Sequence, residues 1–218
     1  MLPKEDDVSI GLLVGLPGAQ HLNSDAVARL VEAAAAHGHC VAYLLELPAA
    51  QQMNTTILGP LLLRVVESAN AGDWPEVTSE LIGLPAAQLL SGDSVGQMLE
   101  AALQNCPDND WELENILGEV FSLPGAHRMS STSMERLLQT ATALDQQSTF
   151  QRLVNLPAAQ QLSSTSVAPL VQATLEHDDE TCFCELAALP AARQLDSADV
   201  GQLLQAAARR PAGCAEPG

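Results

Sequence analysis

Apolar residues recur along this chain in two stripes, each written six times. The register is set by a Leu-Pro step whose leucine, position zero, is Leu16, Leu47, Leu84, Leu123, Leu156 or Leu189. Eleven places on stand Val27, Leu58, Val95, Met134, Val167 and Val200; fourteen on stand Leu30, Leu61, Met98, Leu137, Leu170 and Leu203. Position +15 is Val31, Leu62, Leu99, Leu138, Val171 and Leu204, and position +18 is Ala34, Val65, Ala102, Ala141, Thr174 and Ala207. Offsets 11, 14, 15 and 18 share one face of an α-helix, helix A. Position +8 (Ser24, Thr55, Gly92, Ser131, Ser164, Ser197) is mostly of the type that caps a helix N-terminus and is expected to be the cap. Upstream, position −3 is Leu13, Leu44, Leu81, Val120, Leu153 and Leu186. Position −6 is apolar except at Thr78. This second stripe predicts helix B. Period-two alternation is absent, so no strand is expected.

Between helix B and helix A lies a repeated string: LPAAQ at Leu47, Leu84 and Leu156, with LPGAQ at Leu16, LPGAH at Leu123 and LPAAR at Leu189. The residue before a proline is pushed out of the α region, so each proline ends a helix B. The string carries no charge pair and no nucleophile. It reads as a joint rather than a chemical site, and the stripes rather than the joint are expected to hold the core. The copies begin 31, 37, 39, 33 and 33 residues apart, a period range typical of solenoids. Column +13 (Arg29, Pro60, Gln97, then Arg136, Pro169, Gln202) indicates duplication of a three-unit block. The expected fold is all-α: one right-handed solenoid of two-helix repeats over residues 1–218, with about twelve helices. Both end units are incomplete, so the chain reads as a piece of a longer array or as an array with polar ends.

The helix A offsets resemble ankyrin repeats. Pro169, Leu170, Ala173 and Thr174 fall in that family's Pro-Leu…Ala-Ala frame, as do Leu30, Ala33, Ala34 and Leu203, Ala206, Ala207. AAAAHGH (Ala33–His39) resembles the Ala-Ala…Gly-His segment, and ANAGDWPEVTSELIGLP (Ala69–Pro85) resembles the segment leading through the second helix. The aliphatic-Pro step is similar to a divergent ankyrin variant of some bacterial effectors. The resemblance implies stacked two-helix units and a protein-binding role. By period, and by a proline near the second helix, the chain also resembles transcription-activator-like DNA-binding repeats, which are basic.

Charge sets the two apart. Twenty-seven acids face nine basic residues, a net charge of −18, and nucleic-acid binding rests on neutralising phosphates. Five cysteines at irregular spacing (Cys40, Cys106, Cys182, Cys184, Cys214) argue against a disulfide framework and for a reducing compartment. The acidic start, MLPKEDD, is unlike a secretory signal, and no stretch approaches the ~20 apolar residues of a membrane helix. The expected location is cytoplasmic, or intracellular after delivery if the chain is an effector; no membrane partner is expected.

Chemistry is scarce. The sequence contains no Gly-rich phosphate loop, no G-x-S-x-G and no H-E-x-x-H, so neither enzymatic activity nor a cofactor is expected. His37, His39 and Cys40 have zinc-ligand character, as do Cys182, Cys184 and His177. Cys40 and Cys182, however, both occupy position −7, a helix B packing slot. PDNDWELEN (Pro107–Asn115) has calcium-loop spacing but Leu113 where the turn needs glycine. The collective signal is acidic. The loops from helix A to helix B carry Glu67, Asp73, Glu76, Asp108, Asp110, Glu112, Glu114, Asp145, Glu176, Asp178, Asp179 and Glu180, without Lys or Arg. Stacked, they would form one acidic ridge, with Trp74 and Trp111 on it in neighbouring units. Such an edge commonly serves solubility, but tryptophan is enriched in binding hot spots. The candidate binding residues are therefore Trp74, Trp111, Asp73, Glu76, Asp108, Asp110, Glu112 and Glu114. The expected function is a non-catalytic protein-interaction scaffold for an unidentified partner with a basic surface or peptide. The alternatives are a nucleic-acid-binding helical-repeat protein and an accessory repeat segment of a larger enzyme.

Overall fold

In the computed structural model, the backbone is described for residues 5–37, 41–67, 74–105, 111–177 and 179–208. Side chains are described for the same residues except 5–8, 74–75, 111–113 and 115. The chain is all-helical, 80 % helix, with no strand among the described residues. It divides into two compact units, Met1–Met129 and Ser130–Gly218. The division falls close to where the two three-unit sequence blocks meet.

The first unit holds α1 (Glu5–Val14), α2 (Ser24–Ala36), α3 (Ala42–Leu45), α4 (Pro48–Gln51), α5 (Thr55–Glu67), α6 (Trp74–Ile82), α7 (Gly92–Asn105) and α8 (Trp111–Ser122). The second holds α9 (Ser131–Ala143), α10 (Gln147–Val154), α11 (Ser164–Glu176), α12 (Glu180–Ala188) and α13 (Ser197–Ala208). Helices A are α2, α5, α7, α9, α11 and α13; helices B are α1, α3, α6, α8, α10 and α12. The thirteenth helix among the described residues, α4, is a joint that closes into a helical turn of its own. The other five joints form short 3₁₀ turns at Ala19–His21, Pro85–Leu89, Ala126–Arg128, Ala159–Gln161 and Pro190–Gln194.

Within the first unit α5 packs against both α2 and α7, and α6 packs against both α3 and α8. Within the second, α11 packs against α9 and α13, and α10 against α12. These contacts bury the helix A stripe: Val27, Leu58, Val95, Met134 and Val167 at +11, and Val31, Leu62, Leu99, Leu138 and Val171 at +15. Each fully buried Leu or Val contributes about 1.5–3 kcal/mol.

The joint belongs to the core as well, contrary to expectation. Leu47, Leu84, Leu123, Leu156 and Leu189 are buried, and so are Ala49, Ala50, Ala86, Ala87, Ala126, Ala158, Ala159 and Ala191. Every letter of LPAAQ has a physical role. The leucine turns extended (Leu47 φ −63°, ψ 140°; Leu84 φ −69°, ψ 145°), as a residue before proline must, and buries its side chain. The proline opens the short turn with its φ already set. The +3 amide donates to the position-zero carbonyl at 2.9–3.1 Å in all six copies. The alanines are small enough for close packing. The glutamine amide reaches back to the last turn of helix B: Gln20 to the Val14 carbonyl, 3.2 Å; Gln51 to Leu45, 3.0 Å; Gln160 to Val154, 3.5 Å. It thereby satisfies a carbonyl left over at a helix C-terminus.

Position +8 is the first helical residue rather than the cap, which stands one place earlier. Asn23, Asn54, Ser91, Ser130, Ser163 and Asp196 each accept a hydrogen bond from a first-turn backbone amide at 2.8–3.2 Å. Position +8 does something else in two copies of the first unit, where it meets the following joint. Ser24 donates to the Ala49 carbonyl at 2.8 Å. At Gly92 a Cβ would lie 2.2 Å from the Arg128 carbonyl oxygen, so only glycine admits that approach.

Candidate functional site

The expected ridge lies where helices A end and helices B begin. Asp73, Asp108 and Asp110 fall outside the described residues, as do the side chains of Trp74, Trp111 and Glu112. The backbone corrects one expectation: Trp74 and Trp111 do not lie within the loops but are the first residues of α6 and α8, two helices packed against each other. Glu76 is exposed in the first turn of α6, and Glu114 is half-buried in the first turn of α8. A carboxylate at either place meets the positive end of the helix dipole, worth about 0.3–1 kcal/mol on an exposed surface. These acids therefore also serve the fold.

Below Glu76 sits Glu80, which lines an open groove of about 310 Å³ with Leu45, Glu46, Gln51 and Leu84. Its Oε2 is buried without a hydrogen-bond partner. Burial, and secondarily the Glu76 carboxylate, hold its carboxyl above the usual range. On the neighbouring helix Glu119 accepts a hydrogen bond from the Ser79 hydroxyl at 3.0 Å.

In the second unit Glu67's counterpart, Glu176, is exposed at the end of α11 and accepts from the Gln172 amide at 2.9 Å. Asp179 is not a ridge residue: it is buried, and it caps α12 by accepting from the Cys182 amide at 3.0 Å. Cys182 packs in the core as its −7 slot implies. Burial, the hydrogen bond to Asp179 and the charges of Asp179, Asp145 and Glu185 push its thiol far up, which leaves it unreactive. Cys184 is exposed. His39, Cys40, Asp108 and Asp110 lie outside the described residues. Among those described, no group of three or more His, Cys, Asp or Glu is placed to hold a metal ion, and no helix is long and apolar enough to cross a membrane.

What the sequence reading passed over is the +7 column. Its six members (Asn, Asn, Ser, Ser, Ser, Asp) are all strong cap formers, a cleaner signal than the +8 column beside it. No protein family, curated protein or solved structure matches this chain.

Proposed function

We propose that the chain is a solenoid of ankyrin-like two-helix repeats that acts as a non-catalytic protein-binding scaffold, with its acidic edge receiving a basic peptide or basic protein surface. The stacking reading is supported by the packing of each helix A on its counterparts one copy away, and of each helix B likewise, within each unit. The observation that carries the binding reading is electrostatic. A cation is favoured at a helix C-terminus, yet α2, α7, α9 and α11 have no basic residue in their last turns. Moreover, α5 and α11 end on exposed glutamates, Glu67 and Glu176. Placed against the dipole, these carboxylates cost the fold a little stability and leave negative potential for a partner to neutralise.

The test is titration of an Arg/Lys-rich peptide while following tryptophan emission, since Trp74 and Trp111 are the chain's two tryptophans. Affinity is expected to fall as salt rises, because exposed charges are screened within ~8 Å at physiological ionic strength. It is also expected to fall in an Asp108/Asp110/Glu112 neutralised variant. Trp74→Ala or Trp111→Ala should cost on the order of 2 kcal/mol of affinity without altering helix content; for these variants, binding is followed by calorimetry. Binding that ignores salt and survives all of these changes would overturn the ridge. Low-salt titration with DNA and RNA checks the nucleic-acid alternative, which the −18 charge disfavours.

A further inference from the structure

The interface that joins consecutive copies is left open at both ends of the described chain, and the two open faces are its two halves. Position −3 is buried at Leu44 and Leu81 but 61 % exposed at Leu13. Position zero is buried at Leu47 and Leu84 but 53 % exposed at Leu16. Position +14 is buried at Leu61 and Met98 but 43 % exposed at Leu30. Around Leu13 and Leu30, with Ile10, Leu22 and Ala33, α1 and α2 form the walls of an open apolar groove of about 320 Å³ that Leu44 of α3 also lines. In later copies of the first unit the preceding helices cover this face: α2 lies against α5, and α3 against α6. At α13 the opposite face is bare. Val200 at +11 is 40 % exposed and Leu204 at +15 is 65 % exposed, whereas both columns are buried in each of the five earlier copies.

We propose that this chain associates head to tail with a second copy of itself, the α13 face of one molecule docking into the α1–α2 groove of the next. The occupant follows from the register. The groove presents positions −3 and +14, which are open in the first copy and buried in the later copies of the first unit, and α13 presents positions +11 and +15, which are buried in the five earlier copies and open in the last. Association of this kind is heterologous: each molecule keeps one free end, so the assembly lengthens with concentration unless the rotation closes a ring. The inference rests on the stacking part of the proposed function and is independent of the acidic edge. Peptide titration tests the edge and molecular mass tests the ends, so either can fail alone.

The experiment is light scattering on size-exclusion fractions over a wide concentration range, with 22.9 kDa as the monomer mass. Wild type is expected to gain mass with concentration. Leu30→Glu and Leu204→Glu, each substituting an exposed side chain, should each remain monomeric while retaining wild-type helix content. Because the first keeps its α13 face and the second its groove, an equimolar mixture should form a dimer and nothing larger. Leu89→Glu, exposed in the Pro85–Leu89 joint and not among the residues lining the groove, should behave as wild type. Three results would each overturn the proposal: a wild type that is monomeric throughout, an oligomer that persists in either single variant, or a mixture that stays monomeric.

Discussion

Gly92 and Gly125 offer a sharp test of how the copies nest, because the joint position of Gly125 is also glycine in one other copy, at Gly18, with a different environment. Position +2 is alanine in four copies (Ala49, Ala86, Ala158, Ala191) and glycine at Gly18 and Gly125, so alanine is compatible with the joint itself. At Gly18, with φ −66°, an added Cβ meets nothing within 4 Å. At Gly125 it would lie 2.6 Å from Val95 Cγ2, 2.9 Å from the Leu90 oxygen and 3.2 Å from the Ser91 oxygen. At Gly92 it would lie 2.2, 2.4 and 2.6 Å from the Arg128 oxygen, the Arg128 carbon and the Met129 nitrogen. These last are backbone atoms, so no rotamer relieves the clash; the start of α7 and the Ala126–Arg128 turn must part by about 1 Å to restore ordinary contact. Overpacking of this kind costs about 1–3 kcal/mol, occasionally more, against a helix-propensity gain of at most about 1 kcal/mol. Gly92→Ala is therefore expected to destabilise by about 2 kcal/mol and Gly125→Ala by about 1–3 kcal/mol. Gly18→Ala should stabilise by about 0.4–1 kcal/mol through the unfolded chain. One displacement makes room for both methyls, so the double variant should cost less than the sum, by about 0.5–3 kcal/mol. Urea unfolding followed by tryptophan emission reads the relevant unit, since both tryptophans lie in Met1–Met129; circular dichroism follows the whole chain. If Gly125→Ala proves as harmless as Gly18→Ala, the close approach of α7 to the following joint is refuted.

Three further outcomes are expected. Ser130→Ala and Ser163→Ala should each cost about 1 kcal/mol in urea melts, whereas Ser131→Ala and Ser164→Ala should change stability by less than half of that; a reversed order would restore position +8 as the cap. Leu123→Ala in a joint should be as damaging as Leu137→Ala or Leu170→Ala in the stripe, about 2–5 kcal/mol each, while Gln160→Ala stays near neutral because its bond is long and part-exposed; a tolerated Leu123→Ala would return the core to the stripes alone. Glu80 is protonated more readily in the folded chain than in the unfolded one. Its contribution to stability is therefore greatest at acid pH and is lost as pH rises from the ordinary carboxylate value of about 4.3 through the raised folded value. Glu80→Gln should then be more stable than wild type at pH 7 and indistinguishable below about pH 4, as read by thermal melts across pH; equal melts at pH 7 would contradict the buried carboxyl.

Much of this molecule is written locally. The positions of twelve helices follow from a 3.6-residue spacing of Leu and Val and from proline stops, both of which act within a few residues and so are legible in one dimension. The caps were legible too, one column from where they were sought. The +7 column, all Asn, Ser or Asp, is the cleaner signal, and the structure confirms it because its side-chain oxygens are the ones that face the first-turn amides. The role of the joint was hidden because an Ala-Ala pair has no amphipathic pattern; its burial depends on the preceding copy closing over it, as Gly92 does at Arg128. Thr78 interrupts the apolar stripe in sequence yet is fully buried with its hydroxyl unpaired, since packing of α6 between α3 and α8 overrides one residue's preference. The acids read alike in sequence, but the fold divides them: Asp179 is a buried cap, Glu80 is half-sequestered, and Glu67 and Glu176 stand exposed at helix ends. Likewise no single copy reveals that Leu13, Leu16 and Leu30 stay open while their counterparts are covered. Composition and periodicity determine which faces are apolar, and only the contacts between copies determine which of those faces find a partner within the chain.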